Sequence, residues 1–270
     1  MKNITRTLTI LAIITLLTSN CDKDRGLIVM PIPQEIAMGN TLDSLIKADP
    51  AKYPVLKESD YPEVYNYLNT MMSSILNNTE ERLKYKDEFK WQITVINQDV
   101  LNAFAAPGGK LYFYTGLIKY LDNASELAGV LGHEMAHADL RHSARQMQKD
   151  YGLNIAASII FGTNQSELEK ILVGIGTGVA GLKFSRDDEY QADAFSVKYL
   201  AGTKYDARGV AGFFEKLIAE GNDTQSWEVL STHPNSEDRV TRIYDTWKSL
   251  GSPVGEKMES EHKAIKATLP

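Results

Sequence analysis

Residues 125–142 read SELAGVLGHEMAHADLRH and carry His133, Glu134 and His137 as a complete H-E-x-x-H. Leu127, Val130, Leu131, Glu134 and Ala138 recur at the i, i+3, i+4 spacing of one helix face. Asn123, with Glu126 three residues on, supplies a capping box to start that helix. On a helix, side chains four apart project from one face, so the two imidazoles converge on one metal ion. Glu134 is turned about 100° from His133, where it reaches a water beside the ion without ligating. Two nitrogen ligands, an open position and a carboxylate base are what zinc-assisted peptide hydrolysis requires. The plainer alternative, a surface helix that happens to carry two histidines, leaves a third ligand unaccounted for.

A catalytic zinc takes three protein ligands, and the histidines are His133, His137, His142, His233 and His262. His142 lies roughly 140° around and about 7.5 Å along an uninterrupted helix from His137, so it faces elsewhere unless the helix breaks. Leu140 and Ser143 stand where the longer metzincin pattern wants Gly and His. A carboxylate further on is the better source. In RDDEYQADAFSVKYL, residues 186–200, Glu189 and Asp193 are spaced i, i+4 on a helical pattern. One can ligate while the other accepts a hydrogen bond from a ligand histidine. Asp187 and Asp188 compete for the role, but in a first helical turn they read as solvated acids complementing the helix dipole.

Four runs in order, NAFAAPGGKLYFYTGL (102–117), ELAGVLGHEMAHADLRHS (126–143), DDEYQADAF (187–195) and STHPNSEDRV (231–240), resemble the M48 family of zinc metallopeptidases. The likeness covers roughly residues 35–248, and the chain resembles the short bacterial periplasmic lipoprotein members. It implies an α+β, mainly helical, gluzincin-like domain with a small sheet beside the H-E-x-x-H helix. It implies one zinc per chain on His133, His137 and Glu189, with Glu134 as general base and Asp193 behind the ligands. His233 and Arg239 would return to the cleft, and Asn102, Ala103 and Phe104 would lie along it. His233 would either hydrogen-bond the developing oxyanion or ligate zinc until substrate arrives. Without the likeness, His233 before Pro234 also reads as a simple loop hydrogen-bonder.

The chain opens MKNITRTLTILAIITLLTSNCDKDR. Lys2 and Arg6 flank an apolar run at 8–17, of signal-peptide length and too short to cross a bilayer. Cys21, the single cysteine, looks like a bacterial lipoprotein acceptor, although Thr18-Ser19-Asn20 departs from the usual Leu, small residue, Gly or Ala. An ordinary signal peptide cut nearby and an uncleaved anchor are the alternatives. Residues 1–20 are thus expected as a signal peptide and 21–33 as a tether reaching at most about 40 Å. This places the protein in the bacterial cell envelope, lipid-anchored on the periplasmic side, with the outer membrane favoured over the inner.

With Cys21 acylated no disulfide is available, so the fold rests on its core and its metal. The chain carries 29 basic and 35 acidic residues, net −6; without Lys2 and Arg6 the balance is 27 to 35, or −8. Such a chain without a basic cluster is not a nucleic-acid binder. The domain is expected over 34–250. One helix runs from Gln34 with Ile36, Met38, Leu42, Leu45 and Ile46 to the breaker Asp49-Pro50. A second spans about 61–77, with Val64, Tyr67, Leu68, Met71, Met72 and Ile75 buried. WQITVINQ (91–98) alternates as a half-buried strand, and Pro107-Gly108-Gly109 separates two further strands. The edge of such a sheet can pair with an extended peptide, while Tyr112 and Tyr114 read as sheet packing.

Two apolar runs within 153–182 are each too short for a membrane span. Gly176, Gly178 and Gly181 spell G-x-G-x-x-G, but no βαβ unit surrounds them, so no nucleotide is expected. Asp206 is placed to cap a helix carrying Val210, Phe213, Phe214 and Leu217; a last helix carries Val240, Ile243, Tyr244 and Trp247. Residues 251–270, His262 among them, show no core pattern and are expected as a disordered tail.

The reading is a zinc endopeptidase that degrades misfolded or unassembled envelope proteins presented as extended chain. Zinc-activated water attacks the scissile carbonyl with Glu134 as base. The rival is a non-hydrolytic zinc-binding chaperone or adaptor, which has no need of Glu134.

Overall fold

The computed structural model describes residues 28, 30–149, 183–221, 233 and 238–270. Its first helix, α1, is Ile32–Ala48, entered through Pro33 in the first turn. It buries Glu35, Met38, Gly39, Leu42 and Ile46 and leaves Ile36 and Leu45 half-buried, so the stripe is narrower than the sequence suggests. Helix α2, Pro62–Leu76, buries all six expected positions and Tyr65 as well.

Strands β1 (Gln92–Ile96), β2 (Ala103–Ala106) and β3 (Lys110–Tyr114) form one sheet in the order β1-β3-β2. β3 pairs parallel with β1 (Ile93 opposite Leu111) and antiparallel with β2 (Ala105 opposite Leu111). Gly108 and Gly109 turn the chain between β2 and β3 at φ 74° and 86°, backbone open to glycine at no steric cost. The half-buried reading of β1 is corrected: Thr94 is buried as well as Ile93 and Val95. The cause is a second layer. Ala103, Ala105, Leu111 and Phe113 face the main core, while α1 covers the opposite face, where Phe104, Ala106, Tyr112 and Tyr114 meet Met38, Leu42 and Ile46. Tyr112 stacks on Phe104 with ring centroids 4.6 Å apart, so the sheet-packing reading of the tyrosines holds.

After a short helix α3 (Thr115–Tyr120) comes α4, Ala124–Asp139, which carries the H-E-x-x-H. Asn123 caps it by accepting from the Glu126 N–H at 3.0 Å; the Glu126 carboxylate reaches back to the Asp122 N–H at 2.8 Å, one residue beyond the usual box. Every residue of α4 is buried, so it is an axis and not a surface helix with one wet face. Around it pack β2, α2, α5 (Arg186–Leu200) and α6 (Gly209–Ala219). Two glycines allow that closeness: a Cβ on Gly129 would stand 2.1 Å from the Val210 N, and one on Gly209 would stand 1.7 Å from the Ser125 O. Leu127 and Leu131 are fully buried on this axis, and burial of each contributes about 1.5–3 kcal/mol. α6 buries Val210, Phe213, Phe214 and Leu217 as expected; Asp206 holds the Arg208 N–H at 2.9 Å instead of occupying the cap itself.

Helix α7, Arg239–Ser249, buries Ile243 and packs Val240, Tyr244 and Trp247 against the core. It is not the last helix, and the disordered tail is a second correction. Glu259–Lys266 form α8, with His262 completely buried. Its Nε2–H donates to the carbonyls of Ile118 and Leu121, both at 3.1 Å, so Nδ1 must accept from Tyr67 Oη at 3.0 Å. The segments expected as signal peptide, lipid-acceptor cysteine and most of the tether, the apolar runs at 153–182 and the G-x-G-x-x-G lie outside the described residues. No helix among the described residues is long and apolar enough to cross a membrane.

Candidate metal centre

α4 and α5 lie side by side with Ser196 Oγ donating to the Gly129 carbonyl at 2.7 Å, and this contact sets the depth at which Glu189 meets the histidines. α5 begins with a complete capping box: Ser185 accepts from the Asp188 N–H, and Asp188 accepts from the Ser185 N–H. Asp188 therefore caps the helix and pairs with Arg145 at 2.8 Å, so it is not the solvated acid expected, and Glu189 in the next position is turned inward and buried.

Donor atoms of His133, His137, Glu189 and His233 all lie within 4.8 Å of one another. His133 Nε2 is 3.0 Å from His137 Nε2, 3.5 Å from Glu189 Oε2 and 3.3 Å from His233 Nδ1. Glu189 Oε1 is 3.5 Å from His137 Nε2 and 3.0 Å from His233 Nδ1. A tetrahedral centre with bonds of about 2.0–2.1 Å has edges of about 3.3 Å, so these separations are those of ligands around one small ion.

Two further features fit a dication. Asp193 Oδ1 lies 2.9 Å from His133 Nδ1; a carboxylate only accepts, so His133 carries its proton there and turns the Nε2 lone pair into the cluster. Two such lone pairs 3.0 Å apart repel unless a metal cation, or a proton on one of the two nitrogens, lies between them. Secondly, the centre buries three carboxylates, Glu134, Glu189 and Asp193, against the single guanidinium of Arg239. With the imidazoles neutral, the form in which they ligate, that leaves a charge of −2, which a divalent ion balances. Without the ion, burial pulls His133 down but Asp193 and Glu189 outweigh it and raise it to about 9, and its proton supplies part of that balance.

Arg239 stands at the head of α7 and is itself fully buried. Its Nε and Nη2 donate to Asp193 at 2.7 and 2.6 Å, and an Nη1 contact of 2.9 Å reaches Glu189. Burial alone would raise Glu189, but the charges of His233 and Arg239 outweigh it and hold the carboxyl well below its ordinary range. Asp193 is likewise held low by Arg239 against the pull of burial. Glu134 differs: burial pushes it up, only partly offset by His233 and His133, which leaves it the most basic carboxylate of the three. Burial, reinforced by His133, lowers His137 and keeps it in the neutral form that ligates.

His133, Glu134, His137, Glu189, Asp193, His233 and Arg239 are thus brought together as the sequence suggested. Asn102, Ala103 and Phe104 lie on or beside β2, but the Phe104 ring points to the far face of the sheet. The β2 residue that touches the centre is Ala105: its N–H is directed at Glu134 and its carbonyl accepts from Ser143 Oγ at 3.1 Å. No sequence signal distinguished it from Ala103. His142 is the second residue whose place was not foreseen. α4 stops at Asp139, Arg141 takes a left-handed φ of 59°, and His142 swings back to within 3.1 Å of His137. The condition under which His142 could matter, a break in the helix, is met.

A recess of about 20 Å³ opens beside Glu134 and His233, walled by Val130, Val210, Phe213 and Phe214. It has room for a water molecule.

Comparison with known proteins bears on what such a centre does. The model of the family described as Peptidase family M48 matches residues 66–246. The mitochondrial metalloendopeptidase OMA1 of Arabidopsis thaliana is 33% identical over 149 residues, 55% of this chain and 30% of that protein. The beta-barrel assembly-enhancing protease of Yersinia pestis is 28% identical over 224 residues, 78% of this chain and 43% of its own length. The metalloprotease YcaL of Escherichia coli (strain K12) is 36% identical over 149 residues, 54% of this chain and 58% of that one. The chain therefore spans less than two thirds of each of these relatives.

Proposed function

The chain belongs to peptidase family M48, and on that premise we propose that it is a zinc-dependent endopeptidase of the bacterial cell envelope, acting on misfolded or unassembled polypeptides. The observation that carries the reading is Glu134, raised by burial and held against a tetrahedral set of His133, His137 and Glu189. Zinc, when bound there, supplies Lewis acidity to the scissile carbonyl and to the attacking water. Glu134 takes the proton of that water and delivers it to the leaving amine. Asp193 and Arg239 hold His133 and Glu189 in place throughout. The Ala105 N–H steadies Glu134.

Substrate recognition is assigned to β2. It pairs with β3 alone, and since Ala105 turns its N–H and C=O away from β3, Ala103 two residues earlier turns the same way. An extended peptide laid along that edge would bond by main chain at Ala103, and at Ala105 only by displacing Ser143 and Glu134; main-chain pairing suits unfolded chains of varied sequence. Ala103 is buried, and His233 lies across the ligands. We assign His233 the part of a resting ligand that leaves when substrate enters. The envelope assignment draws on the Yersinia relative's name and on residues 1–21, read as a lipoprotein signal with Cys21 as the lipid-bearing residue.

Digestion of an unfolded protein by native enzyme and Glu134→Gln, with metal content measured on both, tests the reading. Glu134→Gln should keep its zinc and lose activity by about 10²–10⁴-fold. Retention of more than a tenth of the native rate would place the base elsewhere. Cys21→Ser should move the protein from the membrane to the soluble fraction; a membrane-bound variant would exclude Cys21 as the anchor.

A further inference from the structure

His142 belongs to no ligand set, yet it is 1% exposed and wedged between the two helices that carry the ligands. Its Nδ1 is 3.1 Å from His137 Nδ1, and its Nε2 is 3.2 Å from Oε1 of Gln191, two residues beyond Glu189 on α5. Asp188 Oδ1 lies 3.6 Å from the same Nε2. Both oxygens only accept, so a neutral His142 carries its proton on Nε2 and presents a lone pair at Nδ1. Of two Nδ1 atoms at hydrogen-bond distance one must donate, and only that of His137 remains to do so. His137 is thereby fixed as the Nδ1–H tautomer, with its Nε2 lone pair facing His133, Glu189 and His233. The opposite proton order, with the Gln191 amide turned over, would put a hydrogen on His137 Nε2 and bar it from ligation.

We propose that His142 is the positioning residue of His137, setting its tautomer and ring angle through a chain running Gln191, His142, His137. It serves His137 as Asp193 serves His133, with a neutral acceptor in place of a carboxylate. The device depends on the helix break. Arg141 holds its left-handed turn by donating from Nε to the buried Glu35 at 2.7 Å and from Nη2 to the Met30 carbonyl. Phe184 stacks on His137 at 4.0 Å between centroids, so the ring is confined from its face as well as from its edge. The role rests on His137 being a zinc ligand.

Zinc affinity by chelator competition, and imidazole ¹⁵N–¹H spectra of the zinc-loaded native protein, test it together. His142→Phe keeps the ring shape without an acceptor and should bind zinc about 10–100-fold more weakly, while the metal-free protein still folds but melts lower, since Gln191 and His137 each lose a buried partner. His142→Asn, whose Oδ1 can stand where Nδ1 stood, should recover most of that loss. The spectra should show His142 as the neutral Nε2–H tautomer and His137 protonated at Nδ1. His142→Phe binding zinc as tightly as the native protein would overturn the role. So would His142 protonated at Nδ1, a readout that stands even where a variant does not fold. A native protein that takes up no zinc would instead sink the metal centre, and this role with it.

Discussion

His233 is where one residue decides between two chemistries. Its Nδ1 sits 3.0 Å from Glu189 and 3.3 Å from His133, a ligand's distances, while its Nε2 is 3.5 Å from Glu134. As a resting ligand it occupies the position a carbonyl or a water must take, and removal should raise turnover of an unfolded substrate or widen the range of substrates cut. As an oxyanion donor its loss would slow cleavage by roughly 10²–10³-fold. The expected outcome for His233→Ala, assayed at fixed zinc occupancy, is the rise; a fall of that size would sink the gate. Sequence legibility at this scale follows the reach of local geometry. His133, Glu134 and His137 could be placed on one face because a helix fixes their spacing, and the Glu189 and Asp193 pair could be found by the same rule. Ala105 and His142 could not, because a strand edge and a left-handed turn at Arg141 put them at the centre. Neither leaves a mark in residue spacing.

Among the elements, α8 shows what periodicity fails to see. Its inward face is a histidine with Ile265 half-buried beside it, too little apolar surface to register as a stripe. His262 is bound as a neutral imidazole between Tyr67 and two carbonyls, and burial lowers it to about 4 from an ordinary 6.5. Because the folded group is harder to protonate than the unfolded one, protons favour the unfolded chain. Stability is full above about pH 6.5 and falls as pH drops towards 4, by up to about 1.4 kcal/mol per pH unit at this one site. His262→Gln should flatten that part of the profile in urea titrations run between pH 7 and 4, though it is less stable at pH 7. A native-minus-variant difference independent of pH would show that His262 does not titrate in this way. The contrast with α4 is instructive. Its capping residue and apolar spacing were plain in sequence, but its burial on every side was not, since Gly129 and Gly209 act only when α6 is brought against it.

In the molecule as a whole, α4, α5, α7 and the residue His233 meet at the centre. Three buried carboxylates against one guanidinium are balanced by a dication but only partly by a proton on His133, and uncompensated buried charge is among the most destabilising features a fold can carry. Metal binding should therefore act as folding energy. A ligand that binds only the native state at a hundred times its Kd adds about 2.7 kcal/mol, so Tm should climb with free zinc and drop on chelation. His137→Ala should melt low and ignore both zinc and chelator. Glu134→Gln should still respond to zinc and to chelator, since Glu134 is read as the base and not as a ligand, but less steeply than the native protein because one of the three buried carboxylates is gone. Calorimetry across a zinc series distinguishes these cases without any reference to activity. Native protein melting at one temperature with and without chelator would mean that the four donors do not hold a structural charge balance, whatever else they bind.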